Sequence, residues 1–202
     1  MSVREMDWQL LRQLPPEQAI PDGLPGAWWV AHTKPRCEKV LATELAVRDV
    51  PLYLPLRLKA TRSRRTGRRS WSIVPVFTGY LFFNGTEEQR VRALTTNRIV
   101  TVLPVADQAG LVQQLRDVQT MLAHGSGVEC GPTVNIGDWV RVIAGPLAGL
   151  TGRILRKLSG LRLAINVHIL AQSVSVEIGS ESVERLDGPP DPPEPPAVSR
   201  DT

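Results

Sequence analysis

The apolar positions of this chain follow two different rhythms. Up to about residue 124 they switch between strand-like runs and helical spacing. Trp28-Trp29-Val30-Ala31-His32 is apolar and aromatic and predicts a strand. Thr33 and Pro35 resemble a helix start, and the spacing predicts a helix near Arg36–Asp49 with Val40, Leu41 and Leu45 on its buried stripe. Val50–Leu58 is apolar but broken by Pro51 and Pro55, as expected of an edge strand or a strand-like loop. Strand character resumes over Trp71–Phe83, so the polar segment between the two runs, with Gly67 near its tip, reads as the turn of a long β-hairpin. Asn84-Gly85 marks a turn. Thr86 and Gln89 have the spacing of a capping box, which predicts a short helix carrying Val91 and Leu94 inward. Arg98–Val105 is a further strand candidate. Asp107 starts a helix whose positions Leu111, Leu115, Val118 and Leu122 step along one face, and His124-Gly125-Ser126-Gly127 ends it.

From Gly137 the period becomes two. Val140 and Val142 point one way and Arg141 the other. Leu161, Leu163, Ile165, Val167 and Ile169 alternate with Arg162, Ala164, Asn166, His168 and Leu170. Val174, Val176 and Ile178 alternate with Ser173, Ser175 and Glu177. Turn signals fall at Gly145-Pro146, Gly149, Gly152 and Ser159-Gly160. Short alternating strands over so few residues suit a small barrel, where closure removes exposed edges. The first part reads as a compact α+β domain.

Both ends read differently. In the first 26 residues Met6, Leu10 and Leu14 follow helical spacing, and a proline- and glycine-rich linker follows. The segment from residue 188 onward is proline-rich and is expected to be a disordered tail. The N-terminus has acids and an amphipathic pattern, unlike a secretory signal, and no apolar run approaches the roughly 18 residues that span a bilayer. A cytosolic protein is expected, and its two cysteines, Cys37 and Cys130, make neither a disulfide framework nor a zinc site.

Lys and Arg total 24 against 20 Asp and Glu, a net charge of +4. The whole excess comes from Arg57–Arg69, which holds seven basic residues and no acid. Such a patch is either a nucleic-acid footprint or a solvated loop.

Two stretches carry a family resemblance. GDWVRVIAGPLAGLTGRI (Gly137–Ile154) resembles the KOW motif through Gly137, Asp138, Val140, Val142, Gly145, Pro146, Gly149 and Gly152. Trp28-Trp29-Val30, the helix with Glu38-Lys39-Val40, the basic hairpin, and Val76-Phe77-Thr78-Gly79-Tyr80-Leu81-Phe82 resemble the NGN domain of NusG-type transcription elongation factors. The resemblance implies an α+β fold, an NGN-type antiparallel sheet flanked by helices followed by a small all-β SH3-like KOW barrel. The implied layout is an extension over 1–26, an NGN-like domain over 27–124, a linker over 125–135, a KOW domain over 136–187 and a tail over 188–202. It also implies a non-enzymatic cytoplasmic factor, without cofactor, metal or membrane. Such a factor docks on the β′ clamp helices of RNA polymerase, bridges towards β, lies beside DNA at the transcription bubble, and suppresses pausing or termination. In the family the KOW domain recruits Rho or a ribosomal protein. Departures from the housekeeping pattern are Thr78 for the usual proline, Leu147 where an aromatic residue is common, and Thr95-Thr96-Asn97-Arg98 in place of a more apolar stretch. The spacing of PLYLPL (Pro51–Leu56), the basic hairpin and GPLAGL (Gly145–Leu150) resembles that of the specialised RfaH-like and UpxY-like antiterminators.

By that resemblance Tyr80, Phe77, Phe82 and Trp29 are polymerase-binding positions. Strand alternation alone sets Phe77, Leu81 and Phe83 on one face and Tyr80 and Phe82 on the other, and one of those faces must be core. Arg64, Arg65, Arg68 and Arg69 are expected to meet phosphate. Lys34, Arg36, Arg98 and His32 lie where specialised members approach the non-template strand. No catalytic residue is expected: the loop at Ser126 lacks a nucleophile elbow's context, and the KOW glycines lack the Lys-Ser/Thr of a phosphate loop. A KOW-containing RNA-binding protein of ribosomal type is the alternative function, and the NGN-like half is the feature against it. In RfaH-like members the KOW segment can instead fold as helices; the strict period of two favours the barrel.

Overall fold

The computed structural model describes residues 20, 23–62, 65–134, 137–157, 160–179 and 183–189. The expected helix around Leu10, the proline-rich tail and Arg64 lie outside them. Two compact units result, divided between Ala106 and Asp107.

The first unit is built on a four-stranded antiparallel sheet of β1 (Ala27–Thr33), β2 (Leu52–Tyr53), β5 (Tyr80–Gly85) and β6 (Ile99–Pro104), in the order β2-β5-β1-β6. Two helices, α1 (Glu38–Ala46) and α2 (Glu87–Leu94), belong to it. Ala31, Leu81, Phe83 and Leu52 from the sheet join Leu41, Ala42 and Leu45 of α1 and Ala93 of α2 in one buried cluster. β3 (Leu56–Arg62) and β4 (Arg69–Pro75) pair as the long hairpin read from the sequence.

α1 starts two residues later than its periodicity predicts. Arg36 sits at φ +60, outside helical backbone, so Glu38 is the first helical residue and Val40 is exposed instead of buried. The helix ends in a Schellman turn. Asp49 takes the left-handed conformation, the Val50 N–H donates to the Leu45 carbonyl, and the Asp49 N–H donates to Ala46. Val50 and Leu45 are both buried, the apolar contact that usually accompanies this cap. The α2 capping box forms as expected: the Gln89 N–H donates to Thr86 Oγ1, and the Thr86 N–H to Gln89 Oε1. Its buried face differs, however. Ala93 is buried while Val91 and Leu94 are exposed, and Arg90 lays its guanidinium 5.4 Å from the Trp29 ring centre.

The second unit holds α3 (Gln108–His124) and β7 (Ser126–Pro132), β8 (Trp139–Val142), β9 (Thr151–Lys157), β10 (Gly160–Val167), β11 (Gln172–Ile178) and β12 (Val183–Leu186). The strands form one antiparallel sheet in the order β12-β8-β9-β10-β11-β7. The helix read at the end of the NGN-like half thus packs on β10 and β11, with Leu111, Leu115, Val118 and Met121 buried. The stretch read as a linker over 125–135 supplies β7, which pairs with β11. Leu163, Ile165, Val167, Val174 and Val176 are buried, as the period of two requires.

The opposite side of β10 breaks the simple rule of apolar inside and polar outside. Arg162 is only 1% exposed. Its guanidinium donates to Ser175 Oγ (3.2 Å), to the Ser175 carbonyl (2.9 Å), to the Gly127 carbonyl and to Glu177 (3.3 Å), with Glu129 at 3.7 Å. Partners on β7 and β11 therefore satisfy a charge that burial would otherwise make costly.

Asp117 of α3 is a second desolvated charge. Burial raises its carboxyl above the usual range, although Gln113 Nε2 donates to it at 2.8 Å. Because the folded state holds this proton more tightly than the unfolded chain, the protonated group's stability is present at low pH and is lost as pH rises through the carboxylate range. Asp117→Asn is therefore expected to raise the melting temperature at neutral pH, with the gain vanishing in acid. A gain equal at all pH values would contradict this.

Candidate nucleic-acid and protein interface

One end of the first unit's sheet gathers residues that are distant in sequence. His32 and Tyr80 are register partners on β1 and β5, and their rings stack at 5.1 Å with 26° between planes. Both are half-exposed. The turn before β5 sets this up. Gly79 has φ +83, a conformation that suits glycine, and the Tyr80 N–H closes the turn onto the Phe77 carbonyl. The Gly79 N–H donates to Glu38 Oε1 at 2.7 Å, and Glu38 is a buried carboxylate in the first turn of α1, where the helix dipole favours it. The Gly79 carbonyl accepts from the Thr33 N–H. The sequence marked Glu38 only as part of the family-like helix, not as a positioning residue.

That turn also overturns the expected facing of Phe77. A regular strand would place it with Leu81 and Phe83. Instead it meets Phe82 edge-on at 5.9 Å, and Tyr53 lies 6.5 Å from Phe82. Phe77 and Phe82 are 1% and 0% exposed, so they present no ring for docking. Trp29 is half-buried under Arg90. Of the four aromatic positions expected to bind polymerase, Tyr80 and Trp29 are half-buried, and Tyr80 alone has an aromatic neighbour in stacking contact.

Beside the stack, the Lys34 N–H donates to the Arg98 carbonyl, and Lys34 Nζ donates to Asn97 Oδ1 at 2.9 Å. Asn97 takes φ +56 to close the corner after α2. Arg98 is tied to Glu44 at 3.2 Å, while Lys34 and Arg36 are exposed. The structure therefore brings Lys34, Arg98, His32 and Tyr80 to one sheet end. Glu44 was not legible there, because no periodicity marks it, and Asn97 stood out only within the Thr95–Arg98 departure from the housekeeping pattern.

The basic hairpin is a separate surface. Arg65, Arg68 and Arg69 are exposed, and among the described residues no salt bridge reaches them.

In the second unit the KOW-like residues serve mainly as construction. A Cβ on Gly137 would lie 2.2 Å from the Ile154 carbonyl oxygen, and one on Gly152 2.4 Å from that of Ala164, so only glycine fits at either crossing. Val140 and Val142 are buried, as is Leu147 beneath the loop of Gly145, Pro146 and Gly149. Asp138 accepts from Arg185 at 2.6 Å on the surface. Arg153 covers the Trp139 ring at 4.6 Å.

Residues 26–127 match the family model described as transcription termination factor nusG, and residues 136–158 match the KOW motif. The chain belongs to the NusG family. NusG-family membership places it among transcription factors and accords with the α+β architecture described above. No curated protein matches the sequence. Among solved structures, the crystal structure of an MjSpt4:Spt5 complex is similar over 81% of this chain and 99% of that chain, at 15% identity and a TM-score of 0.28, too slight a likeness to carry an argument. Among the described residues no helix is long and apolar enough to cross a membrane.

Proposed function

We propose that this NusG-family chain is an elongation and antitermination factor that binds RNA polymerase through its first unit and suppresses pausing or termination. The single observation that carries the reading is the half-exposed Tyr80 ring, stacked on His32 at the end of an otherwise buried aromatic strand. Tyr80 offers the β′ clamp helices an apolar face with a hydroxyl, the side-chain chemistry of interface hot spots. Lys34, Arg36 and Arg98 then lie beside DNA at the bubble, and the exposed hairpin arginines meet phosphate nearby, with the polymerase β subunit across the cleft. The KOW unit recruits a further protein. Thr78 and the inward-turned Leu147 support a specialised antiterminator over the housekeeping factor, whose KOW loop offers an aromatic residue to Rho or to a ribosomal protein.

Tyr80→Ala tests this. An anchoring aromatic contributes about 2 kcal/mol or more, and each 1.4 kcal/mol is roughly tenfold. Affinity for core RNA polymerase is expected to fall by more than about tenfold, with near-native melting because Tyr80 is only half-buried. Undiminished binding would remove Tyr80 from the interface.

A further inference from the structure

The hairpin carries an aromatic residue whose setting differs from that of the other described tryptophans. Trp28 is buried, and the rings of Trp29 and Trp139 are covered by Arg90 and Arg153. Trp71 on β4 is 47% exposed, and among the described residues no cation or aromatic ring lies on it. Its cross-strand partner is Ala60, too small to cover an indole. Positions two apart share a strand face, so Leu58, Ala60 and Arg62 lie on one side with Arg69, Trp71 and Ile73. Ile73 is buried at the base of the hairpin, while Leu58 is 57% exposed.

On this face Arg62 and Arg69 are direct cross-strand partners. Like charges placed so are destabilising, and no salt bridge reaches either among the described residues. Among the described residues Arg62 Nε donates to the Gly67 carbonyl of the turn, at 3.2 Å. The arrangement is thus a half-exposed indole beside a cross-strand pair of cations that no salt bridge reaches among the described residues, on a hairpin with no acid from Arg57 to Arg69. A polyanion would relieve the repulsion. A base from an unpaired strand would cover the ring, whereas in a duplex the base faces are stacked and inaccessible.

We propose that the Trp71 face of the hairpin is a stacking platform for single-stranded nucleic acid, with Trp71 taking a base and Arg62 and Arg69 the flanking phosphates. This deepens the nucleic-acid role proposed for the hairpin and rests on it. Stacking is sequence-tolerant, and loss of an aromatic platform typically weakens binding by about fivefold or more.

The test uses the full chain and a fluorescein-labelled oligothymidylate, with a duplex of equal length as comparison. Trp71→Ala is expected to weaken single-strand binding about five- to tenfold and leave melting, duplex affinity and the salt slope unchanged. Trp71→Phe should retain most of the single-strand binding and Trp71→Leu little of it. Equal retention by Leu and Phe would assign the residue to apolar docking against a protein and overturn stacking. Replacing Arg65, Arg68 and Arg69 with Gln reads the underlying hairpin role, because fewer released counterions flatten the salt dependence. A flattened slope with Trp71→Ala binding like wild type overturns the platform alone. A slope and affinity unmoved by either set overturns both.

Discussion

Arg162→Ala is expected to destabilise the second unit by about 3 kcal/mol or more. Removing one partner of a buried charge network typically costs about 3–5 kcal/mol, since the remaining groups stay buried and unpaired. Here the buried groups left behind are the carbonyl and hydroxyl of Ser175, together with a vacated side-chain volume, while the carbonyl of the exposed Gly127 can turn to water. Glu129 and Glu177 are each about half-exposed and can turn to water, which keeps the loss from being larger. Two of the partners, Gly127 and Glu129, sit on β7, so the effect should be local before it is global. Amide exchange should accelerate first in 126–132, where β7 pairs with β11. Arg162→Met restores much of the volume without the donors, and its loss should be smaller. If Arg162→Ala melted like wild type, or exchange rose elsewhere while β7 stayed protected, the guanidinium would not be what holds that strand.

Phe82→Ala carries the second large effect. The ring is fully buried, edge-on to Phe77 and near Tyr53. Large-to-small changes of a buried phenylalanine cost about 3–5 kcal/mol, a large share of the roughly 5–15 kcal/mol by which most domains are stable. The first unit should melt many degrees lower, with polymerase binding lost only as a consequence of unfolding. Tyr80→Ala, two residues away on the same strand face, should show the opposite pairing of lost binding and retained melting. Near-native melting of Phe82→Ala would mean that the ring is not the core element its burial indicates.

Local chemistry was legible in the sequence; chemistry completed by distant residues was not. The capping box at Thr86 and Gln89 needs only residues three apart, and it formed as read. The period of two in β10 and β11 correctly marked Leu163, Ile165, Val167, Val174 and Val176 as buried. Alternation failed at Phe77 because the left-handed Gly79 interrupts the strand, and helical spacing failed at Val40 because left-handed Arg36 delays the helix. The sequence of β7, rich in glycine and ending in proline, carries no strand signal of its own. Its pairing depends on β11 and on Arg162, 35 residues beyond Gly127. Arg162 itself reads as outward because charge usually is, and only the tertiary structure supplies its acceptors. Among site residues, the Tyr80–His32 stack could not be read from either strand alone, since it follows from their register. The hairpin arginines were legible as a block of charge, but the half-exposed Trp71 face depends on which residue lies opposite it.

The most direct measurement is equilibrium binding of the full chain to purified core RNA polymerase, with an isolated β′ clamp-helix fragment as competitor. Saturable binding that the fragment displaces is the expected result. A chain that binds ribosomal RNA but shows no displaceable binding to the polymerase would contradict the proposed function.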